Sequence, residues 1–346
     1  MPAYILKRLL LMIPTLLGVL TLTFIVIQFV PGGPVEQLVA ESRATGGAES
    51  GGGRRRPGRD LDAKQIEELK QLYGFDKPPL ERYVAMLRGF AQFELGRSFT
   101  HNKDVFQLIL EKLPVSVSLG IWTFLLSYLV SIPLGIAKAT REGSRFDAIS
   151  TMLVLAGYAI PGFVLGVVLI VVFAGGTYLD WFPLRGLTSD NWADLSWPAR
   201  ITDYFWHLAL PLTCIAINSF AVMTLLTKNT FIEEIRKQYV LVARAKGMPE
   251  RRVLYKHIFR NALIPIVTGF PAAFIGAFFA GSLLIETLFS LDGLGLLSYE
   301  SIIRRDYPVV LGSLYVFTLI ALAVKLIADL LYVVVDPRVQ FESVAK

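Results

Sequence analysis

The chain has 346 residues, 54% of them hydrophobic and only 18% charged, with a mean hydropathy of +0.54. Soluble domains carry about a quarter charged residues, so too few polar residues are present to cover a water-facing surface, which argues against a soluble enzyme and against disorder. The formal charge of +6 would suggest nucleic acid in a soluble protein, but here its meaning depends on where Lys and Arg lie relative to apolar runs.

The first apolar run, Leu9–Val30, follows Lys7 and Arg8 and is long enough to cross a bilayer, which takes about 20 apolar residues. It exceeds a signal-peptide core, and Val30-Pro31-Gly32-Gly33-Pro34 offers no small-x-small cleavage pattern, so it reads as a retained helix. Residues 31–112 form an 82-residue insertion. Its stretch 43–60 combines Gly46-Gly47, Gly51-Gly52-Gly53 and Arg54-Arg55-Arg56-Pro57-Gly58-Arg59, a composition that cannot bury a core and reads as a tether. Ile66, Leu69, Leu72 and Tyr73 then recur at helical spacing, Gly74 stops that helix, and Pro78-Pro79 open another through Met86 and Phe90.

Uncharged runs follow at 113–137, 148–177, 206–227 and 261–285, and a last one at 309–335 carries Lys325 and Asp329. Buried helices of soluble cores rarely run this long without charge, and a membrane barrel would show short alternating segments instead. The prediction is an all-α integral membrane protein of six transmembrane helices. Short loops assigned to one side (residues 1–8, 138–147, 228–260 and the tail 336–346) hold 16 Lys/Arg, whereas the opposite loops 178–205 and 286–308 hold four. That bias places both termini in the cytoplasm and the 31–112 insertion outside.

The inner loop 228–260 carries nine Lys/Arg against three Glu; the other 313 residues carry 25 of each sign, so the chain's whole surplus sits there. Phe231, Ile232, Ile235, Tyr239, Val242 and Ala243 follow a helical stripe, Gly247-Met248-Pro249 break it, and Glu250–Arg260 begin a second helix with Val253, Leu254 and His257 on one side. Such a basic amphipathic element fits either a membrane surface or a docking surface for a cytoplasmic protein.

No phosphate-cradling Gly-x-x-x-x-Gly-Lys-Ser/Thr, no His-Glu-x-x-His and no Gly-x-Ser-x-Gly occurs. No catalytic residue and no metal ligand set is predicted. Of the three histidines, His207 beside Trp206 reads as an interfacial anchor. The single cysteine, Cys214, reads as a packing residue. Lys325 and Asp329, four apart, can share one helix face, and Lys325 can snorkel to the inner surface.

Several segments together resemble the permease subunits of peptide-type ABC importers, the dipeptide, oligopeptide and nickel group. They are Tyr4-Ile5-Leu6-Lys7-Arg8, Val30-Pro31-Gly32-Gly33-Pro34, Tyr73-Gly74-Phe75-Asp76-Lys77-Pro78, Leu95-Gly96-Arg97-Ser98-Phe99, and Leu113-Pro114 through Gly120. Ala243-Arg244-Ala245-Lys246-Gly247 with His257-Ile258-Phe259-Arg260-Asn261-Ala262 is similar to the group's EAA loop, with Leu241 where the general signature has Glu. Phe289, Gly293-Leu294-Gly295, Arg305-Asp306-Tyr307-Pro308 and Asp336-Pro337-Arg338 also fit, and Lys228-Asn229 with Tyr158-Ala159-Ile160-Pro161 look most like a Yej-type peptide importer. The stretch Arg43–Arg59 matches no motif of the family.

The resemblance implies a type I importer permease in the bacterial inner membrane, forming half of a pore for peptides. It implies as partners a second homologous permease, a periplasmic substrate-binding protein and cytoplasmic ATPase subunits that hold ATP and Mg. It turns the inner loop toward docking, and assigns to ATPase coupling Tyr239, Ala243, Arg244, Ala245, Lys246, Gly247, His257, Arg260 and Asn261. Ala243 and Ala245 are expected to permit close approach, Gly247 to permit the turn, and the cations to meet acids on the partner. Pathway candidates, chosen by polarity or aromaticity, are Tyr158, Pro161, Phe163, Asn218, Phe274 and Phe278. The alternative of another class is a channel or ion-coupled transporter acting without an ATPase, for which internal repeats and midspan charges would speak.

Overall fold

A computed structural model describes residues 2–30, 77–176, 178–279 and 282–335. The expected tether 43–60, the helix over 62–73 and the tail 336–346 lie outside them. Among the described residues the regular secondary structure is helical apart from one isolated bridge, Arg97 with Asp104. They fall into two compact units, residues 1–112 with 297–322 and residues 113–296 with 323–346.

The first unit contains α1 (Pro2–Phe29) and α2 (Pro79–Ala91), which starts at a proline whose missing N–H costs nothing in a first turn. The two helices meet where Thr21 Oγ1 lies 2.6 Å from Tyr83 Oη, beside a Phe24–Tyr83 ring contact at 5.3 Å. Two motifs far apart in sequence converge here. The fully buried Asp306 accepts hydrogen bonds from Ser98 Oγ (2.6 Å), Phe99 N (3.1 Å) and Thr100 N (3.0 Å). Gly312 provides the clearance, because a Cβ there would sit 2.7 Å from Val105 Cγ1. Tyr315 stacks obliquely on Phe90 at 5.1 Å and donates to its carbonyl at 2.9 Å.

The second unit is built around α3 (Val105–Ala139, from residue 113 onward) and the 39-residue α6 (Trp197–Ile235). Along α3 a stripe of small or hydroxylated residues, Ser116, Gly120, Thr123, Ser127, Ser131 and Gly135, is buried and ends at the buried Lys138. Small side chains let helix backbones approach closely in a membrane. A Cβ on Gly135 would lie 2.5 Å from Thr227 Cβ and 2.9 Å from the Thr224 carbonyl, so α3 and α6 touch backbone to backbone. Trp122 Nε1 donates to Tyr204 Oη at 3.0 Å near the other end of the same pair.

The run 148–177 departs from the expected single helix. It forms α4 (Arg145–Ala159) and α5 (Gly162–Phe173), bent by 93°. Ile160 is extended (φ −86°, ψ 120°), as the residue before proline must be, and Pro161 cannot donate the next helical hydrogen bond. The run 261–285 is also divided, into a turn Phe259–Ala262, α8 (Ile264–Phe279) and, past two undescribed residues, α9 (Ser282–Leu288). Next come α10 (Leu294–Ile303) and α11 (Tyr307–Val335).

Among the described residues four helices are long and apolar enough to cross a membrane, and α4 with α5 makes a bent fifth candidate. Cys214 packs in the core with Leu208, Leu212, Ile285 and Phe289, as a packing residue would. Buried Glu286 accepts from Leu296 N at 2.7 Å. A Cβ on Gly293 would lie 2.7 Å from its Oε1, which accounts for the Gly in that motif.

Candidate functional site

The basic loop between α6 and α8 is the site the sequence singles out. Helix α6 ends at Ile235, where Lys237 turns extended (φ −73°, ψ 150°) and starts α7 (Gln238–Ala245). This interruption resets the helical phase. Val240 and Ala243 are therefore the buried residues of α7, whereas Leu241 and Val242 are each 51% exposed. Two expectations change: Val242 leaves the apolar stripe, and Ala243 is packing rather than contact surface. Ala245, Lys246 and Gly247 are exposed.

Gly247 takes φ +73°, a left-handed conformation that a side chain strains, and this turns the chain toward Pro249. Arg244 bridges the turn, its Nε and Nη2 donating to the two Glu250 oxygens at 2.8 and 3.1 Å. The return segment is a turn at Glu250–Arg252, a π-helix Val253–Ile258 and the turn Phe259–Ala262. Its wider spacing buries Val253, Ile258 and Ala262 together with Phe231, Val240, Ala243 and, from α3, Ala139. His257 is half-buried and Arg260 and Asn261 are exposed.

Glu234, which no motif or periodicity marks, holds the base of the loop. It is buried and accepts from Lys237 Nζ and from Tyr239 Oη at 2.6 Å, and Tyr239 also bonds Asn261. Burial and the Glu234 carboxylate push the Tyr239 hydroxyl up to about 12, so it stays a neutral donor. Tyr239 and Asn261 therefore meet at the base of the loop. No ion pair among the described residues engages Lys246, Arg251, Arg252, Lys256 or Arg260. The outward face thus combines Leu241, Val242, Ala245 and the 58% exposed Tyr255 with unpaired cations.

A second polar cluster lies at the start of this loop. Asp147, in the first turn of α4, receives Lys228 Nζ from α6 at 2.7 Å and Lys138 Nζ from α3 at 3.2 Å. The Gly143 amide donates to it at 3.3 Å. Burial alone would push the Asp147 carboxyl up, but hydrogen bonds from Lys228, Gly143 and Lys138 outweigh it and hold it down at about 2. Lys138, wholly buried, also donates to the Asp147 carbonyl (3.0 Å), Ser150 Oγ (2.8 Å) and Thr151 Oγ1 (2.6 Å).

The pathway candidates are dispersed. Tyr158, Pro161 and Phe163 are exposed about the α4–α5 bend. The bend rests on α6, where a Cβ on Gly162 would lie 2.6 Å from the Cys214 carbonyl and 3.9 Å from Asn218 Nδ2. Phe274 belongs to a separate ring cluster, stacked on Phe270 at 5.9 Å and edge-on to Phe124 at 5.5 Å. The Phe278 side chain lies outside what is described.

Residues 131–341 match the family described as "binding-protein-dependent transport system inner membrane component". The chain belongs to this family. Relatives similar over nearly its whole length agree. The "peptidoglycan transport system permease protein YejB" of Agrobacterium fabrum is 52% identical over 99% of both chains. The "inner membrane ABC transporter permease protein YejB" of Escherichia coli O157:H7 is 50% identical over 99% of this chain and 100% of its own. The "oligopeptide transport system permease protein AppB" of Bacillus subtilis is 32% identical, again over 99% and 100%.

The inward-facing MetNI methionine ABC transporter shares the fold, at a TM-score of 0.51 and 15% identity over 67% of this chain and 97% of that one. The permease is accordingly a multi-pass inner-membrane pore subunit of an ABC importer, and its ATPase is a separate subunit. Both motif pairs carried by the resemblance, the 95–99 and 305–308 segments and the halves of the basic loop, are spatial neighbours.

Proposed function

We propose that this permease conducts peptides into the cytoplasm and that the outward face of residues 239–261 in its basic loop is the surface on which the ATPase docks. The observation that carries the docking reading is the division of α7. Val240 and Ala243 anchor it to the core shared with α3, while Leu241, Val242 and Ala245 face outward beside unpaired cations. Small apolar knobs ringed by positive charge fit a groove with an acidic rim. Nucleotide and Mg then reside on the ATPase, and a second homologous permease completes the pore. A binding protein delivers substrate from outside, and lipid surrounds the spans.

The peptide reading rests on relatives named for oligopeptide and peptidoglycan transport, the latter a polymer that carries short peptides. Replacing Ala245 with Trp in the full-length permease puts a large ring on the contact face without touching the buried one. ATPase recovered with the purified permease is expected to fall about tenfold, the loss of one good interface contact. Undiminished recovery overturns the docking assignment. Uptake of labelled trialanine by proteoliposomes holding the whole transporter tests the substrate class, and uptake of a disaccharide-peptide alone would narrow it to wall fragments.

A further inference from the structure

The Asp147 cluster sits behind the loop, on none of its outward residues, and joins three helices. Lys138 closes α3, Asp147 opens α4, and Lys228 lies on α6 two turns before its end. Two of these helices are already bound to the loop by apolar packing. Ala139 of α3 and Phe231 of α6 share the core formed by Val240, Ala243 and Val253. No residue of α4 belongs to that core.

Further along, α4 packs against α6 and borders an open cavity. That cavity, of about 370 Å³, is lined by Leu134 of α3, by Ser150, Val154 and Gly157 of α4, and by Ile217 and Phe220 of α6. Gly157 supplies one close approach, its added Cβ falling 3.0 Å from Ile217 Cδ1, and beyond it the chain bends at Pro161. At its foot α4 is tied to α3 and α6 by the ion pairs of Asp147. Lys228 is also the part of that lock least committed elsewhere, since Lys138 shares its three protons among the Asp147 carbonyl, Ser150 and Thr151 as well as the carboxylate.

We propose that Lys228, through its pair with Asp147, is a positioning residue for transport: it makes α4 follow the α3–α6–loop body when the ATPase moves that body. This rests on the docking reading above. With the pair intact, displacement of α7 reaches the bent α4–α5 segment. With the pair broken, the loop moves and α4 lags, so ATP is hydrolysed without matching uptake.

The test is the number of ATP molecules hydrolysed per labelled trialanine taken up, in proteoliposomes holding the full-length permease, its partner permease, the ATPase and the binding protein. Lys228→Gln is expected to keep wild-type ATPase recovery and raise that ratio about 5-fold, a size typical of coupling residues that touch no ligand. Lys228→Arg, which keeps the charge, is expected to restore it to within about 2-fold of wild type. An unchanged ratio in Lys228→Gln, or Arg no better than Gln, overturns the proposal. So does loss of ATPase recovery in Lys228→Gln, which would place Lys228 in the docking surface itself. Failure of the docking reading shows separately, as undiminished ATPase recovery with Ala245→Trp.

Discussion

Buried charge is expensive unless it is matched, and two of the buried acids, Asp306 and Asp147, are matched differently. Asp306 receives three donors from one loop and organises it, whereas Asp147 is held between two lysines from two helices. Replacing Asp306 with Ala leaves two loop amides and the buried Ser98 hydroxyl without their acceptor, at about 1–3 kcal/mol for the buried hydroxyl and less for the more exposed amides. The apparent melting temperature of the purified permease is expected to drop by several degrees. Asp306→Asn, which keeps an acceptor oxygen, should recover part of it.

For Asp147 the sign of any pH effect follows from its lowered pKa. Its contribution is complete above the ordinary carboxyl range near 4 and is lost only as pH falls through about 2. Asp147→Asn is therefore expected to lower the melting temperature equally at pH 5.5 and pH 8. A deficit that shrinks toward pH 5.5 would show that Asp147 titrates higher than its surroundings imply.

At the scale of the element, helix existence was legible because an uncharged run of about 20 or more residues is rarely anything but a membrane-spanning helix. Helix continuity was less so. The bend at Ile160-Pro161 carries a local signal, the proline and its restricted predecessor, but the uninterrupted apolar run hides it. In the loop, a single period carried from Phe231 to Ala243 places Val242 inward. The actual break at Lys237 depends on Glu234 drawing Lys237 and Tyr239 to itself, a contact no periodicity shows. The same limit hides the Asp147–Lys228 pair. Charge at a span boundary is visible in sequence, but which charges meet across 81 residues is not.

The small-residue stripe of α3 is plain in the sequence, yet its partner helix is not, and that partner makes its consequence sharp. Gly135→Ala puts a methyl against Thr227 and the Thr224 carbonyl, where one contact is backbone, and is expected to destabilise by about 1–3 kcal/mol. Gly18→Ala in α1, where no atom lies within 4 Å of an added Cβ, should stay within about 0.5 kcal/mol of wild type. Thermal unfolding of the two variants side by side separates close packing from general intolerance of substitution in a span.

For the molecule as a whole, the opening surplus of +6 has a place and a direction. It equals the surplus of the 228–260 loop, and the ion pairs of that region consume only part of it. Cations left over in one short loop do two jobs that point the same way. By the positive-inside rule they would bias that loop to the cytoplasmic side during insertion, and on the docking proposal they would remain available there for an acidic partner. The two jobs are separable by experiment. A fluorescent protein fused after Lys346 should fluoresce, and alkaline phosphatase inserted after Asp190 should be active, because each folds productively on one side only.

Changing Arg251, Arg252 and Lys256 together to Gln leaves six Lys/Arg in the loop and 13 on its side against four opposite, so both reporters should read unchanged. ATPase recovery with the same triple variant should fall and become less sensitive to salt, as expected when exposed charges steer association. Inverted reporters would show that those three cations set orientation. Unchanged reporters with unchanged ATPase recovery would leave the surplus as a topology signal only.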